Sequence, residues 1–251
     1  MKRNASFRQR EFYEDYWKCR VTERRLHTKE DMWIPQRIIT TIDMIIQDFP
    51  FKDNKIMHVL DIGCGEGTIG KLLNEKLKDK VSIIGCDISK TALNSASNYY
   101  SKVFELDIEV DEFPDEFYVR KFNYIIILEV LEHLFKPENI LKQCCRILKE
   151  GGILLASFPN IAWYKYRIDM LKGHFPRCYL SHPAEHIHHF TLNSFMELLH
   201  KNGFYPIEID GQFVFPSAFK PRRLFLPIFK KFPNLFGYQL VFKSKKRIEK
   251  L

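Results

Sequence analysis

Long apolar runs are missing from this 251-residue chain. No stretch approaches the ~20 residues needed to cross a bilayer, which argues against a transmembrane helix. The basic N-terminal stretch MKRNASFRQREFYEDYW is not followed by the apolar segment of a secretory signal. The cysteines are Cys19, Cys64, Cys86, Cys144, Cys145 and Cys178, and no two form a C-x-x-C pair. Scattered thiols of this kind fit a reducing cytoplasm better than disulfides or a zinc site. Internal repeats and low-complexity linkers are absent too. A single domain over 1–251 is therefore the simplest organisation.

What is present is ordinary for a globular protein: 45% hydrophobic and 28% charged residues. The net charge of +8 admits RNA, an anionic membrane or an acidic small molecule as partner. Much of that charge sits in KRNASFRQR and KSKKRIEK, near the two ends, where a solvated surface explains it equally well.

Residues 6–50 have helical periodicity. Phe12, Tyr16 and Cys19 share one side, and Ile38, Ile39, Ile42, Ile45 and Ile46 supply a second apolar face that Pro35 would open. From residue 55 short apolar runs alternate with helical spacing. Strands are expected at Ile56–Asp61, Val81–Asp87, Lys102–Asp107, Phe122–Leu128 and Gly152–Phe158. Helices are expected between them at Thr68–Leu77, Ser89–Tyr99 and Pro137–Leu148, with Gly151-Gly152 as a stop. Thr191 should cap a helix that runs to Lys201, and Tyr205–Asp210 and Tyr238–Phe242 are candidate last strands. Apolar strands alternating with helices predict an α/β fold, a doubly wound and mainly parallel sheet covered on both faces. Residues 1–50 then form an N-terminal helical cap, 55–158 a cofactor-binding half, and 159–251 an acceptor-side insertion with the last strands.

The most informative stretch is MHVLDIGCGEG, residues 57–67. A strand runs into Gly63, Gly65 and Gly67 and then into a helix, which brings backbone amides close to a ligand. The pattern alone also satisfies a dinucleotide fingerprint. The acids narrow it. Asp61, Asp87, Asp107 and Glu129 all fall at or just after strand ends, where an open sheet binds its ligand. One carboxylate there suits two ribose hydroxyls. A crowd of negative charge disfavours pyrophosphate and favours a cationic nucleoside.

In the order DIGCGEGTIG, GCDIS, ELDIE, FNYIIILEVLEHL and LKEGGILLASFPN, the chain resembles the class I S-adenosylmethionine-dependent methyltransferases over most of residues 55–205. The resemblance implies a seven-stranded Rossmann-like sheet with an antiparallel last strand, and S-adenosylmethionine as cofactor. It also implies that Asp61, Gly63, Cys64 and Gly65 face the methionine end and that Asp87 holds the ribose. Ile88 would pack on the adenine, with Asp107 and Ile108 at its edge and Glu129 completing the site. Within that superfamily, SFPNIAWYKYRIDMLKG and HIHHFTLNSFMELLHKNGF are similar to MetW-type methyltransferases. EVLEHL is similar to the ubiquinone-biosynthesis O-methyltransferases.

Glu129, Glu132 and His133 form an E-x-x-E-H pattern whose spacing would gather two carboxylates and an imidazole on a helical turn. His182, His186, His188 and His189 follow. The pair E-x-x-E-H and H-x-H resembles the small-RNA 3′-terminal 2′-O-methyltransferases, which implies a divalent metal on Glu129, Glu132, His133 and His188. Without a metal, such a histidine caps or lines the pocket. An alcohol acceptor benefits from a base near neutrality, and His133 is the first candidate, followed by His188 and His186.

Tyr13, Tyr16 and Trp17 are candidates for a lid, with ordinary amphipathic packing as the favoured alternative. The segment 219–235 interleaves aromatics with bases and would either lie at a membrane interface or pack dry against the sheet. The expected activity is O-methylation of a small molecule or glycan by a cytoplasmic enzyme, with peripheral contact at the inner membrane face through 219–235. An RNA 2′-O-methyltransferase and a non-catalytic MetW-like partner in methionine biosynthesis are the alternatives. No RNA-binding module or aromatic RNP-type strand accompanies the core.

Overall fold

A computed structural model describes residues 2–26, 34–49, 55–176, 186–214 and 222–247, apart from the side chains of 2–8, 21, 23–26 and 222–225. Among them seven strands form one sheet: β1 (Met57–Ile62), β2 (Val81–Asp87), β3 (Lys102–Glu105), β4 (Phe122–Leu128), β5 (Leu148–Pro159), β6 (Phe204–Phe213) and β7 (Gly237–Lys246). Their order is β3-β2-β1-β4-β5-β7-β6. The first five are parallel, and β7 runs antiparallel to both β5 and β6. The doubly wound, mainly parallel sheet with an antiparallel last strand is thus present.

The helices are α1 (Lys2–Leu26), α2 (Gln36–Asp48), α3 (Thr68–Leu77), α4 (Lys90–Ala96), α5 (Asp115–Arg120), α6 (Pro137–Ile147), α7 (Tyr164–Leu171), α8 (Leu192–Lys201), α9 (Arg222–Lys230) and α10 (Pro233–Phe236). Successive residues of the central strands feed two cores, one on each face. Ile126 joins Ile42, Leu73, Ile83 and Val241 on one side. Ile125 and Ile127 join Leu141, Phe158, Phe195 and Phe242 on the other. This explains why β4 reads as a continuous apolar run rather than an alternating one. Each fully buried Ile or Leu contributes about 1.5–3 kcal/mol relative to exposure.

Local chemistry accounts for the ends. Ser89 Oγ caps α4 by accepting from Ala92 N. Thr191 and Ser194 form a reciprocal capping box at α8. Pro35 is the residue before α2 rather than its first turn, with an extended ψ of 136°. Gly151 and Gly152 do not end a helix either. The chain passes from α6 directly into β5, and the glycines lie at a register break, where Phe122 pairs with Leu148 but Tyr124 pairs with Ile153. The chain goes β1, β2, β3 to one side and then crosses to β4 on the other side of β1. That reversal opens a crevice above the carboxyl ends of β1 and β4.

Candidate active site

The turn after β1 is fastened to the end of β2. The Gly63 and Cys64 amides donate to the Cys86 carbonyl at 2.8 and 3.0 Å. The Gly65 amide donates to Asp87 Oδ2 at 2.9 Å. Gly65 has φ +53°, and a Cβ there would stand 2.6 Å from the Trp17 ring of α1. Two constraints, backbone conformation and close approach, therefore call for glycine.

Asp87 is anchored on both oxygens, since Oδ1 accepts from Ser89 N at 2.9 Å. Each oxygen keeps a lone pair for a ligand hydroxyl. Burial pushes the Asp87 carboxyl up, against the amide bonds that pull it down. Asp61 is buried, and its Oδ2 accepts from the Tyr100 hydroxyl at 2.6 Å. Burial pushes the Cys64 thiol well above its ordinary value, so it is neutral at pH 7. Asp107 is buried and turns its Oδ1 to Glu109 N at 3.0 Å. All of these residues except Ser89 and Tyr100 border one cavity of about 560 Å³, which Ile88 and Ile108 also line.

Helix α1 roofs this cavity with Phe12, Tyr13, Tyr16 and Trp17. Tyr13, Tyr16 and Trp17 thus face the cavity rather than serving as packing alone, whereas Cys19 is exposed. Polar side chains hold the roof. Glu14 accepts from Ser89 Oγ at 2.7 Å and from Thr91 Oγ1 at 2.5 Å, and Arg10 pairs with Glu105.

The acceptor-side wall differs from the sequence expectation. Glu129 has φ +55° and does not begin a helical turn; a 3₁₀ turn spans only Leu131–His133. Its carboxylate accepts from Ser157 Oγ at 2.9 Å and Gln239 Nε2 at 2.9 Å. Glu129 borders the cavity but stands apart from the group formed by Glu132, His133 and His186. The ligand atoms of that group all lie within 4.8 Å of one another. His188 is not part of it. The ring of His188 stacks on Phe190 at 5.6 Å, and its buried Nε2 has no hydrogen-bond partner. Of the H-x-H pair, His186 is the one at the cavity, 4.7 Å from His133 between ring centroids. His182 lies outside the described residues.

Glu132 is fully buried, and neither carboxylate oxygen has a hydrogen-bond partner. Burial, and then the charge of Glu129, push its carboxyl well above the ordinary range. Burial and then His189 hold His186 below its usual value, so the imidazole is neutral at pH 7.

Sequence reasoning missed Arg37. It stands in the first turn of α2, borders the cavity and donates to Gln239 Oε1 at 3.4 Å. A lone base at the start of an Ile-rich helix was the available signal.

A methyltransferase-domain family profile matches residues 36–209, well over half of the chain. The chain belongs to the S-adenosylmethionine-dependent methyltransferase family. Among curated relatives, a ubiquinone biosynthesis O-methyltransferase of Coxiella burnetii (strain Dugway 5J108-111) is 31% identical over 142 residues, covering 51% of this chain and 58% of that one. The human mitochondrial enzyme of the same description is 29% identical over 154 residues, covering 58% of this chain and 40% of that one. The chain thus spans about half the length of the curated relatives it matches.

Solved structures agree on the fold. A Thermotoga maritima protein described as a possible histamine N-methyltransferase has a TM-score of 0.55 at 18% identity, covering 95% of this chain and 97% of that one. A mycolic acid cyclopropane synthase complexed with SAH has a TM-score of 0.54 at 17% identity, with 83% and 84% covered. The cofactor of this methyltransferase is S-adenosylmethionine. Among the described residues no helix is long and apolar enough to cross a membrane.

Proposed function

We propose that this methyltransferase transfers a methyl group to a hydroxyl of a small molecule. The observation that carries this reading is the pair of imidazoles, His133 and His186, which border the cavity with ring centroids 4.7 Å apart. Asp87 takes the ribose hydroxyls, Asp107 and Ile108 take the adenine side, and Arg37 offers a guanidinium to the methionine carboxylate. S-adenosylmethionine bound there would supply an electrophilic sulfonium methyl group to an acceptor oxygen placed in line with it, leaving a neutral thioether. The hydroxyl proton passes to His133, with His186 beside it. Placement supplies much of the rate, and the base adds about 10²–10⁴-fold. A roofed cavity of about 560 Å³ suits a compact acceptor better than an RNA end.

One observation favours a second reading. The orphaned oxygens of buried Glu132 beside two imidazoles fit a divalent cation, which Glu132, His133 and His186 would hold. Such an ion would polarise an acceptor hydroxyl and lower its pKa. The candidate set then contains His186 in place of Glu129 and His188.

The test is S-adenosylmethionine turnover with a panel of phenolic, sugar and RNA acceptors, with and without chelator. Methylation of a small hydroxyl compound, unaffected by chelator and lost in His133→Ala, supports the first reading. Loss with chelator and in Glu132→Gln supports the second. Methylation of RNA alone overturns the small-molecule acceptor.

A further inference from the structure

Tyr100 takes no part in the chemistry described so far, yet it lies beneath the whole donor turn. Its ring fills the space left by three glycines. A Cβ would come within 3.0 Å of that ring at Gly67, 2.6 Å at Gly70 and 3.0 Å at Gly85. These glycines stand on different elements: the turn, α3 and β2. One aromatic ring therefore sets the distance between all three.

The hydroxyl is equally committed. It accepts from Gly70 N at 3.2 Å and donates to Asp61 Oδ2 at 2.6 Å. A phenol has one proton, and the amide that points at its oxygen steers that proton to Asp61. Asp61 in turn borders the cofactor cavity.

We infer that Tyr100 is a positioning residue for the methyl donor, holding Asp61 as an oriented carboxylate toward the cationic end of S-adenosylmethionine. The buried carboxylate would otherwise take up a proton and lose its attraction for a cation. Asp61 titrates at about 7: burial raises it, the Tyr100 bond lowers it and the charge of Asp87 raises it. Asp61 in turn raises the neighbouring Cys64 and Cys86 thiols, which burial already pushes up, so both are neutral at pH 7 and place no charge beside it. Tyr100 itself is pushed up by burial and stays protonated. Removing its hydroxyl takes away the one lowering influence, so Asp61 would ionise only at higher pH.

The inference rests on S-adenosylmethionine as the cofactor, and its test separates the two. Binding of S-adenosylmethionine to the full chain is measured by calorimetry from pH 6 to 9 for wild type, Tyr100→Phe, Asp61→Asn and the double variant. Absence of wild-type binding would count against the cofactor itself. Tyr100→Phe keeps the ring under the glycines, and its unfolding midpoint checks that the fold survives. The expected result is roughly tenfold weaker binding at pH 7. The gap should close toward pH 9, and the phenylalanine should have no further effect in the Asp61→Asn background. Any pH dependence left in Asp61→Asn comes from other groups, among them the α-amine of S-adenosylmethionine, and cancels in the comparison with the double variant. Unchanged affinity in Tyr100→Phe, an equal loss at every pH, or the same loss with Asp61→Asn overturns the inference and leaves Tyr100 as packing alone.

Discussion

The two walls of the cavity are built on different principles. The donor wall is backbone: the Gly63, Cys64, Gly65 and Ser89 amides fix its shape through Cys86 and Asp87. Its residues follow one another along β1 and β2. The acceptor wall is side chain. Glu129 answers to Gln239, which is 110 residues away, and His133 lies against His186, far along the chain from it. A wall of backbone tolerates little change and serves one ligand. A wall of side chains from distant segments can be revised one residue at a time. The solved structures of this fold are consistent with the contrast, since they include a possible N-methyltransferase and a cyclopropane synthase.

The contrast can be broken most sharply at Asp87. Asp87→Ala removes the carboxylate that ties the glycine turn and that we propose to meet the ribose, so S-adenosylmethionine affinity should fall by about 100-fold or more. Calorimetric titration checks it, and near-wild-type binding would remove Asp87 from the ribose site. Next comes His133→Ala, which should lower kcat by about 100-fold while changing cofactor Kd less than about threefold. Parallel losses of both would assign His133 to donor binding and blur the two walls. The smallest of the three effects is expected in the roof. Glu14→Gln weakens the bonds to Ser89 and Thr91, and partial exposure limits their strength, so cofactor release should accelerate by roughly three- to tenfold. Stopped-flow dissociation measures this, and an unchanged rate would mean that α1 does not gate exchange.

Asp61 adds a thermal signature to the donor wall. Its folded value of about 7 lies above the ordinary 3.8, so the native state binds a proton that the unfolded chain has released. Its contribution to stability is present below the ordinary value and is lost as pH rises toward 7. The unfolding midpoint of cofactor-free Asp61→Asn should therefore gain on wild type between pH 5 and pH 8. A constant difference would refute the raised value.

The donor wall was legible in the sequence because its determinants are contiguous. β2, β4 and α3 coincide with the expected Val81–Asp87, Phe122–Leu128 and Thr68–Leu77, since buried apolar runs end there at charges, glycines or a cap. The acceptor wall was legible only in its residue types. The E-x-x-E-H spacing presumes a helix from Glu129, but a positive φ at that residue turns its carboxylate toward Ser157 and Gln239 instead. His186 and His188 are two apart on a nonhelical segment, so sequence alone does not say which one meets His133. Tyr100 and Arg37 escaped notice for the same reason: their partners are set by tertiary contact, not spacing.

The Glu132 carbonyl accepts from both Ile187 N at 2.9 Å and His188 N at 3.0 Å, and Ile161 N donates to Phe190 O at 3.0 Å. The histidine segment is thereby clamped by main-chain bonds to the turns that follow β4 and β5. His186 is thus carried like a part held in a two-jawed clamp, one jaw beside His133 and the other beside the end of β5.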